Sequence, residues 1–189
     1  PVGVKDMNHV KGMPATYGSL IYADFIPDED DRVVRFIREE GGVIVGKTNT
    51  TEFGAGNNTT NRLYGATLNP FDPTKTSGGS SGGSGAALAL NMVPLAHGTD
   101  TGGSLRVPAT FCGITSLKPT PGLIAHERRI FAHWPFMLQG AMGRNVADVA
   151  LLTAAMARDE SINAMSYPRD RQAFADVTPL DLEIGRAHV

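Results

Sequence analysis

Ser77-Gly78-Gly79-Ser80-Ser81-Gly82-Gly83-Ser84-Gly85 runs straight into Ala86-Ala87-Leu88-Ala89-Leu90, so nine residues of only Ser and Gly lead into a series of strong helix formers. A second tight stretch, Gly98-Thr99-Asp100-Thr101-Gly102-Gly103-Ser104, follows residues 93–96, which read as a buried strand. One Ser/Gly run by itself is equally well explained as a flexible linker. Two of them, one opening a helix and one leaving a strand, call for another explanation. Residues without a Cβ allow a sharp turn that aims several backbone N–H groups at one point. A serine at the end of such a turn is well set to be a nucleophile beside an oxyanion hole.

Outward from these turns, residues 28–40 put Val33, Val34, Phe36 and Ile37 on one face of a helix that Gly41-Gly42 stops. The β-branched run Val43-Ile44-Val45 follows as a buried strand, a helix-to-strand step of the kind found in α/β folds. Residues 48–76 lack periodicity and are rich in Asn, Thr, Gly and Pro, which reads as loop with one short helix near Thr51. A helix is expected to begin around Leu105 and to be interrupted or redirected by Pro108, with a further strand at 114–117. Val146, Val149, Leu152 and Met156 recur at helical spacing with Asn145 as the N-cap. No internal repeat or linker divides the chain.

The 189 residues are 41% hydrophobic and 19% charged, proportions of a globular rather than a disordered chain. A net charge of -2 with scattered Lys and Arg gives no basic footprint, so nucleic acid is not an expected direct partner. The longest apolar stretch, 85–96, is broken by Asn91 and Pro94 and falls short of the roughly 18 residues of a membrane-spanning helix. Cys112 is the only cysteine, so this chain alone builds neither a disulfide nor a thiolate zinc site, and a cytoplasmic setting is expected. The opening on Pro1 without an initiator Met reads as the inside of a domain, hence a fragment. Residues 183–189, Glu-Ile-Gly-Arg-Ala-His-Val, match the translation of a common sequencing-adapter oligonucleotide and are set aside as a non-native tail; a polar helical tail is the alternative.

Three short patterns compete for the chemistry. Gly41-x4-Gly46-Lys47-Thr48 satisfies the P-loop expression, but Val43-Ile44-Val45 occupy the positions where the phosphate-cradling loop must form. Gly-x-Ser-x-Gly is matched in overlapping frames centred on Ser80 and Ser81. A nucleophile elbow needs a strand just upstream, whereas Asp72-Pro73-Thr74-Lys75-Thr76 cannot be a buried one. The third pattern is the pair of Gly/Ser turns itself.

These turns, with Ser80 and Ser104 24 positions apart, join Pro1-Val2-Gly3-Val4-Lys5-Asp6, residues 46–53, residues 108–113 and Gly143-Arg144-Asn145-Val146-Ala147-Asp148. In these blocks the chain resembles the amidase signature family over about residues 1–158. The resemblance implies a partial domain of that family over 1–182, an α/β fold with a mixed β-sheet core flanked by helices. It also implies a Ser-Ser-Lys triad in which Ser104 is the nucleophile, Ser80, after a cis peptide from Gly79, is the proton relay, and Lys5 is the base. Backbone N–H groups of Thr101, Gly102, Gly103 and Ser104 would form the oxyanion hole, and Gly54 would touch substrate with a roomier pocket floor than a bulkier residue gives. The chemistry is coherent: serine needs a base to be nucleophilic, and lysine serves only where its pKa is lowered enough to leave it neutral. The implied reaction is hydrolysis of a linear carboxylic amide through an acyl-enzyme, with a small-molecule amide as partner, no metal and no cofactor. A homodimer is compatible with it.

The remaining polar residues carry plainer readings. Lys47 is expected in a salt bridge, Asp100 and Arg106 as a pair bracing the second turn, and Phe111 and Cys112 as core. His9, His97, His126 and His133 show no metal-ligand spacing. Residues 122–135, with His126-Glu127-Arg128-Arg129, depart from the family pattern, which leaves specificity near them open. Three alternatives stand beside an amidase: the glutamine-hydrolysing A subunit of a tRNA-dependent amidotransferase, an inactive truncated fragment, and, remotely, a P-loop protein.

Overall fold

In a computed structural model the chain is described for residues 1–127, 135–158, 167 and 170–178. The residues expected as a tail, 183–189, and His133 lie outside these. In chain order the elements are β1 (Val2–Lys5), α1 (Arg32–Glu39), β2 (Ile44–Thr48), the short pair β3 (Thr60–Asn61) and β4 (Gly65–Ala66), α2 (Gly82–Ala89), β5 (Leu95–Asp100), α3 (Arg106–Cys112), β6 (Thr115–Ser116), β7 (Leu138–Gly143) and α4 (Val146–Met156). Five strands form one sheet in the order β2-β1-β5-β7-β6. β1 is parallel to β2 and β5, while β7 is antiparallel to β5 and β6, so the sheet is mixed as expected.

Side chains alternate across this sheet and divide the core in two. Val2, Val4 and Ala141 pack with Val33, Val34 and Ile37 of α1 and with Val149, Leu152 and Met156 of α4. Ala96 and Met142 point the other way, onto Leu88 of α2 and Leu105. Helix α1 is only eight residues long, too short to persist by propensity. Val33, Val34, Phe36 and Ile37 are fully buried, each contributing on the order of 1.5–3 kcal/mol, and this face holds the helix. Among the described residues no helix is long and apolar enough to cross a membrane.

Several expectations shift. Helix α1 starts at Arg32 rather than near Asp28, because the Asp31 carboxylate accepts Asn8 Nδ2 at 3.0 Å and the His9 N–H at 2.9 Å, fixing the chain ahead of the helix. In the run 43–45 only Ile44 is buried; Val43 and Val45 are exposed, since β2 is an outer strand of the sheet. Gly46, Lys47 and Thr48 belong to β2 itself, which leaves no loop there to wrap a phosphate. β5 continues through Gly98 and Thr99, so the second turn begins at Thr101. Pro108 does not interrupt α3: it is the third residue, where the missing N–H has no intrahelical partner to lose. Phe111 is exposed rather than core, because α3 turns Pro108, Ala109 and Cys112 inward. The helix near Thr51 is a single 3-10 turn, Glu52–Gly54, and Asn145 caps α4 as expected, its Oδ1 accepting the Asp148 N–H at 2.8 Å.

The first Ser/Gly run is divided between turn and helix. α2 already begins at Gly82, although glycine inside a helix costs about 1 kcal/mol relative to alanine. A Cβ on Gly83 would collide with the backbone of Asn49, so close packing of the helix on the chain after β2 requires glycine there.

Candidate active site

Lys5 is the last residue of β1, and the parallel register that aligns Val4 with His97 brings it beside Thr99 near the end of β5. Lys5 Nζ donates hydrogen bonds to Ser80 Oγ and to Thr99 Oγ1, both at 2.7 Å. The side chain is wholly buried. Removal from water disfavours the ammonium and lowers its pKa from 10.5 to about 7, against the raising influence of the Asp100 charge.

Ser80 stands at the head of α2, after a cis Gly79–Ser80 peptide. Other hydroxyls of the run fasten this turn to the sheet. Ser81 Oγ contacts both backbone groups of Thr99, donating to its carbonyl at 3.2 Å and accepting its N–H at 3.3 Å. Ser84 Oγ donates to the His97 carbonyl at 2.9 Å. Thr59 closes the turn from outside, donating from Oγ1 to the Gly78 carbonyl and accepting the Gly82 N–H, each at 2.9 Å.

The second turn is organised by Asp100. Its carboxylate accepts the backbone N–H of Gly103 at 2.8 Å and of Leu105 at 3.1 Å, and both Nε and Nη2 of Arg106 at 3.1 Å, the pairing expected from sequence. Burial pushes the Asp100 pKa up, but the Arg106 hydrogen bond, the two N–H bonds and the Arg106 charge together hold it below the usual carboxylate range. The Gly103 N–H is thereby engaged. Among the described residues the N–H groups of Thr101, Gly102 and Ser104 have no hydrogen-bond partner, and neither has Ser104 Oγ.

Ser80 and Ser104 open onto one cavity of about 290 Å³ that Gly54, Thr99 and Thr101 also line; Gly102 and Gly103 do not line it. Met7, Phe53, Met137 and Leu138 make much of its wall apolar, with Asn8 and His126 as polar members. Gly54 has φ of 69°, and a Cβ there would meet Met7 Cε at 3.4 Å and Ser80 Oγ at 3.5 Å, so the missing side chain leaves open the space in front of Ser80.

Lys47 lies outside this cavity, paired with Asp6 Oδ1 at 2.7 Å and donating to the Pro14 carbonyl at 3.0 Å, the structural role expected of it. His97 is buried, and burial lowers its pKa to about 3. It is therefore neutral, and Nε2–H donates to Gln139 Oε1 at 2.7 Å; the same oxygen accepts Asn8 Nδ2 at 3.0 Å, which steadies Asn8 at the cavity. Burial likewise pushes the Cys112 thiol up to about 11, leaving it an inert core group. Among the described residues no group of three or more His, Cys, Asp or Glu is placed to hold a metal ion. Thr99 and the Asn8–Gln139–His97 chain carry no signal in the sequence, because strand register and not spacing brings them here.

A sequence profile of the family described as Amidase matches residues 1–186. The chain belongs to the amidase family. It is 41% identical over 189 residues to the A subunit of glutamyl-tRNA(Gln) amidotransferase from Thermus thermophilus, covering 98% of this chain and 40% of that protein. Against the protein of the same name from Clostridium botulinum (strain Eklund 17B / Type B) it is 47% identical over 153 residues, 81% of this chain and 32% of the relative. Among solved structures, 6-aminohexanoate cyclic dimer hydrolase complexed with substrate superposes with a TM-score of 0.83 at 34% identity over 90% of this chain and 36% of that one. The glutamyl-tRNA(Gln) amidotransferase A subunit of Thermotoga maritima gives 0.80 at 35% over 90% and 38%. This amidase chain thus spans about 40% of the length of the Thermus relative.

Proposed function

We propose that residues 1–182 are part of a longer amidase domain that hydrolyses linear carboxylic amides with Ser104 as nucleophile, Ser80 as proton relay and Lys5 as base. The observation that carries this reading is the 2.7 Å contact between Ser80 Oγ and a buried Lys5 whose pKa is about 7, at the wall of the cavity that Ser104 lines. The observed contact has Nζ donating to both hydroxyls. Once Lys5 loses its proton, Nζ keeps two hydrogens and one lone pair, so Thr99 Oγ1 still accepts one hydrogen while the contact to Ser80 reverses and the Ser80 hydroxyl donates to the lone pair.

As Ser104 Oγ attacks the amide carbon, its proton passes to Ser80 Oγ and the Ser80 proton to Lys5 Nζ. The N–H groups of Thr101 and Ser104, whose residues line the cavity, are free to meet the oxyanion; Gly102, which does not line it, joins them only if the turn shifts, and Gly103 only if it also leaves Asp100. Collapse of the intermediate breaks the C–N bond, and the same relay returns the proton to the departing nitrogen. Water then attacks the ester through the reverse path and releases the carboxylate. Ammonia release from a small aliphatic amide, abolished in Ser104→Ala, tests this directly; hydrolysis unchanged by that substitution contradicts it.

A second reading is favoured by the names of the relatives: the chain as part of an amidotransferase A subunit, freeing ammonia from glutamine for transfer. Glutamine hydrolysis that depends on partner proteins and tRNA supports it, and efficient hydrolysis of simple amides without them speaks against it.

A further inference from the structure

Two residues of the serine cavity, Tyr17 and Phe53, also line a second groove of about 370 Å³ with His9, Tyr22 and Phe25. Both have positive φ, 54° and 52°, the left-handed region that bulky side chains rarely adopt and that clusters at ligand sites. They hold each other there: the Phe53 N–H donates to the Tyr17 carbonyl at 2.8 Å. The Tyr17 hydroxyl is fixed in turn against His9 Nε2 at 2.5 Å. Beyond them the rings meet edge to face, Tyr17 to Tyr22 at 5.2 Å, Tyr22 to Phe53 at 6.2 Å and His9 to Phe25 at 5.2 Å. Tyr22, Phe25 and Phe53 nevertheless keep between a third and a half of their surface exposed.

We propose that this groove is a second subsite, and that the amide entering the serine cavity carries a neutral aromatic group that seats among Tyr17, Tyr22, Phe25 and Phe53. This rests on the amide-hydrolase reading of the serine cavity. The occupant follows from the lining: rings that present edges favour another ring as partner, and the groove's lining offers no charged carboxylate, Lys or Arg to pair with an ionic group. The groove shares its Tyr17–Phe53 wall with the serine cavity, so one molecule can occupy both. Backbone constraint on both wall residues keeps the subsite formed before ligand arrives, which lowers the ordering cost of binding.

The test is equilibrium binding of 2-naphthylacetamide and of acetamide to the whole chain by ligand-observed NMR, in the wild type and in Tyr22→Ala and Phe25→Ala. The naphthyl amide is expected to bind at least about tenfold tighter, and the ratio of the two affinities to fall about three- to tenfold in each variant. A variant that merely loosens the fold weakens both ligands and leaves the ratio alone. Equal affinities in the wild type, or a ratio untouched by both substitutions, overturn the subsite. Loss of hydrolysis with the binding ratio retained counts against the Ser104 mechanism and leaves the subsite standing.

Discussion

Lys5 Nζ donates to Ser80 Oγ at 2.7 Å across 75 residues of sequence, and both groups are buried. An ammonium in that position forgoes hydration, and its pKa of about 7 follows from burial. Amide hydrolysis is therefore expected to fall as pH drops through about 7, because protonated Lys5 cannot accept the relay proton. A pH profile of kcat/KM checks this, and an acidic limb several units lower contradicts it.

The same shift links Lys5 to stability, with an unusual sign. Between about pH 7 and 10.5 the unfolded chain binds a proton at Lys5 that the folded chain does not, so this residue's contribution rises with pH in that window. Urea denaturation of the wild type and of Lys5→Met, at about pH 7 and about pH 9.5, is expected to show the wild type gaining on the variant at the higher pH.

Thr99 Oγ1 accepts a hydrogen bond from Lys5 Nζ at 2.7 Å and is expected to act as a positioning residue for it. Thr99→Val leaves a buried N–H of Lys5 without an acceptor, a loss on the order of 1–3 kcal/mol, or about 5- to 150-fold in rate if it falls on the transition state. Thr99→Ser restores the acceptor and is expected to recover most of the rate together with the wild-type acidic limb, which a merely structural role does not predict.

The Asp100–Arg106 pair is unequal. Arg106 is more than half exposed, so Arg106→Ala is expected to cost less than about 1 kcal/mol. Asp100→Ala removes the acceptor of two backbone N–H groups and is expected to cost about 2–4 kcal/mol, while disordering the turn that carries Ser104. Thermal unfolding of the two variants separates these outcomes.

Part-buried Lys47 pairs with the buried Asp6 carboxylate, which also accepts the Thr16 N–H and hydroxyl, so Lys47→Met is expected to destabilise the fold by about 1–3 kcal/mol. Nucleotide is expected not to bind with or without it, since Gly46–Thr48 is strand. Calorimetric titration with ATP and Mg²⁺ checks that statement.

The glycine and serine runs announced the two turns because sharp turns and close backbone approach leave few residue types to choose from. α4 was legible from its 3.6-residue period and its Asn145 cap. β7 was not: Leu138, Gln139, Gly140, Ala141, Met142 and Gly143 are all buried, yet Gln and Gly erase the apolar run that marks an inner strand. Phe111 reads as core in the sequence yet lies exposed, because a short helix can turn either face inward and only packing decides. Gly98 read as turn although it lies in a strand. Within the site, Ser80, Ser104 and Gly54 stand in motifs of recognisable spacing, whereas Thr99 is a partner of Lys5 only through the register of β1 against β5.

The most direct test of the account is covalent labelling with a fluorophosphonate probe, with the modified residue mapped by mass spectrometry. Label is expected on Ser104, absent in Ser104→Ala and reduced at least about 100-fold in rate in Lys5→Ala. Label on another serine, or label on Ser104 indifferent to Lys5, contradicts it.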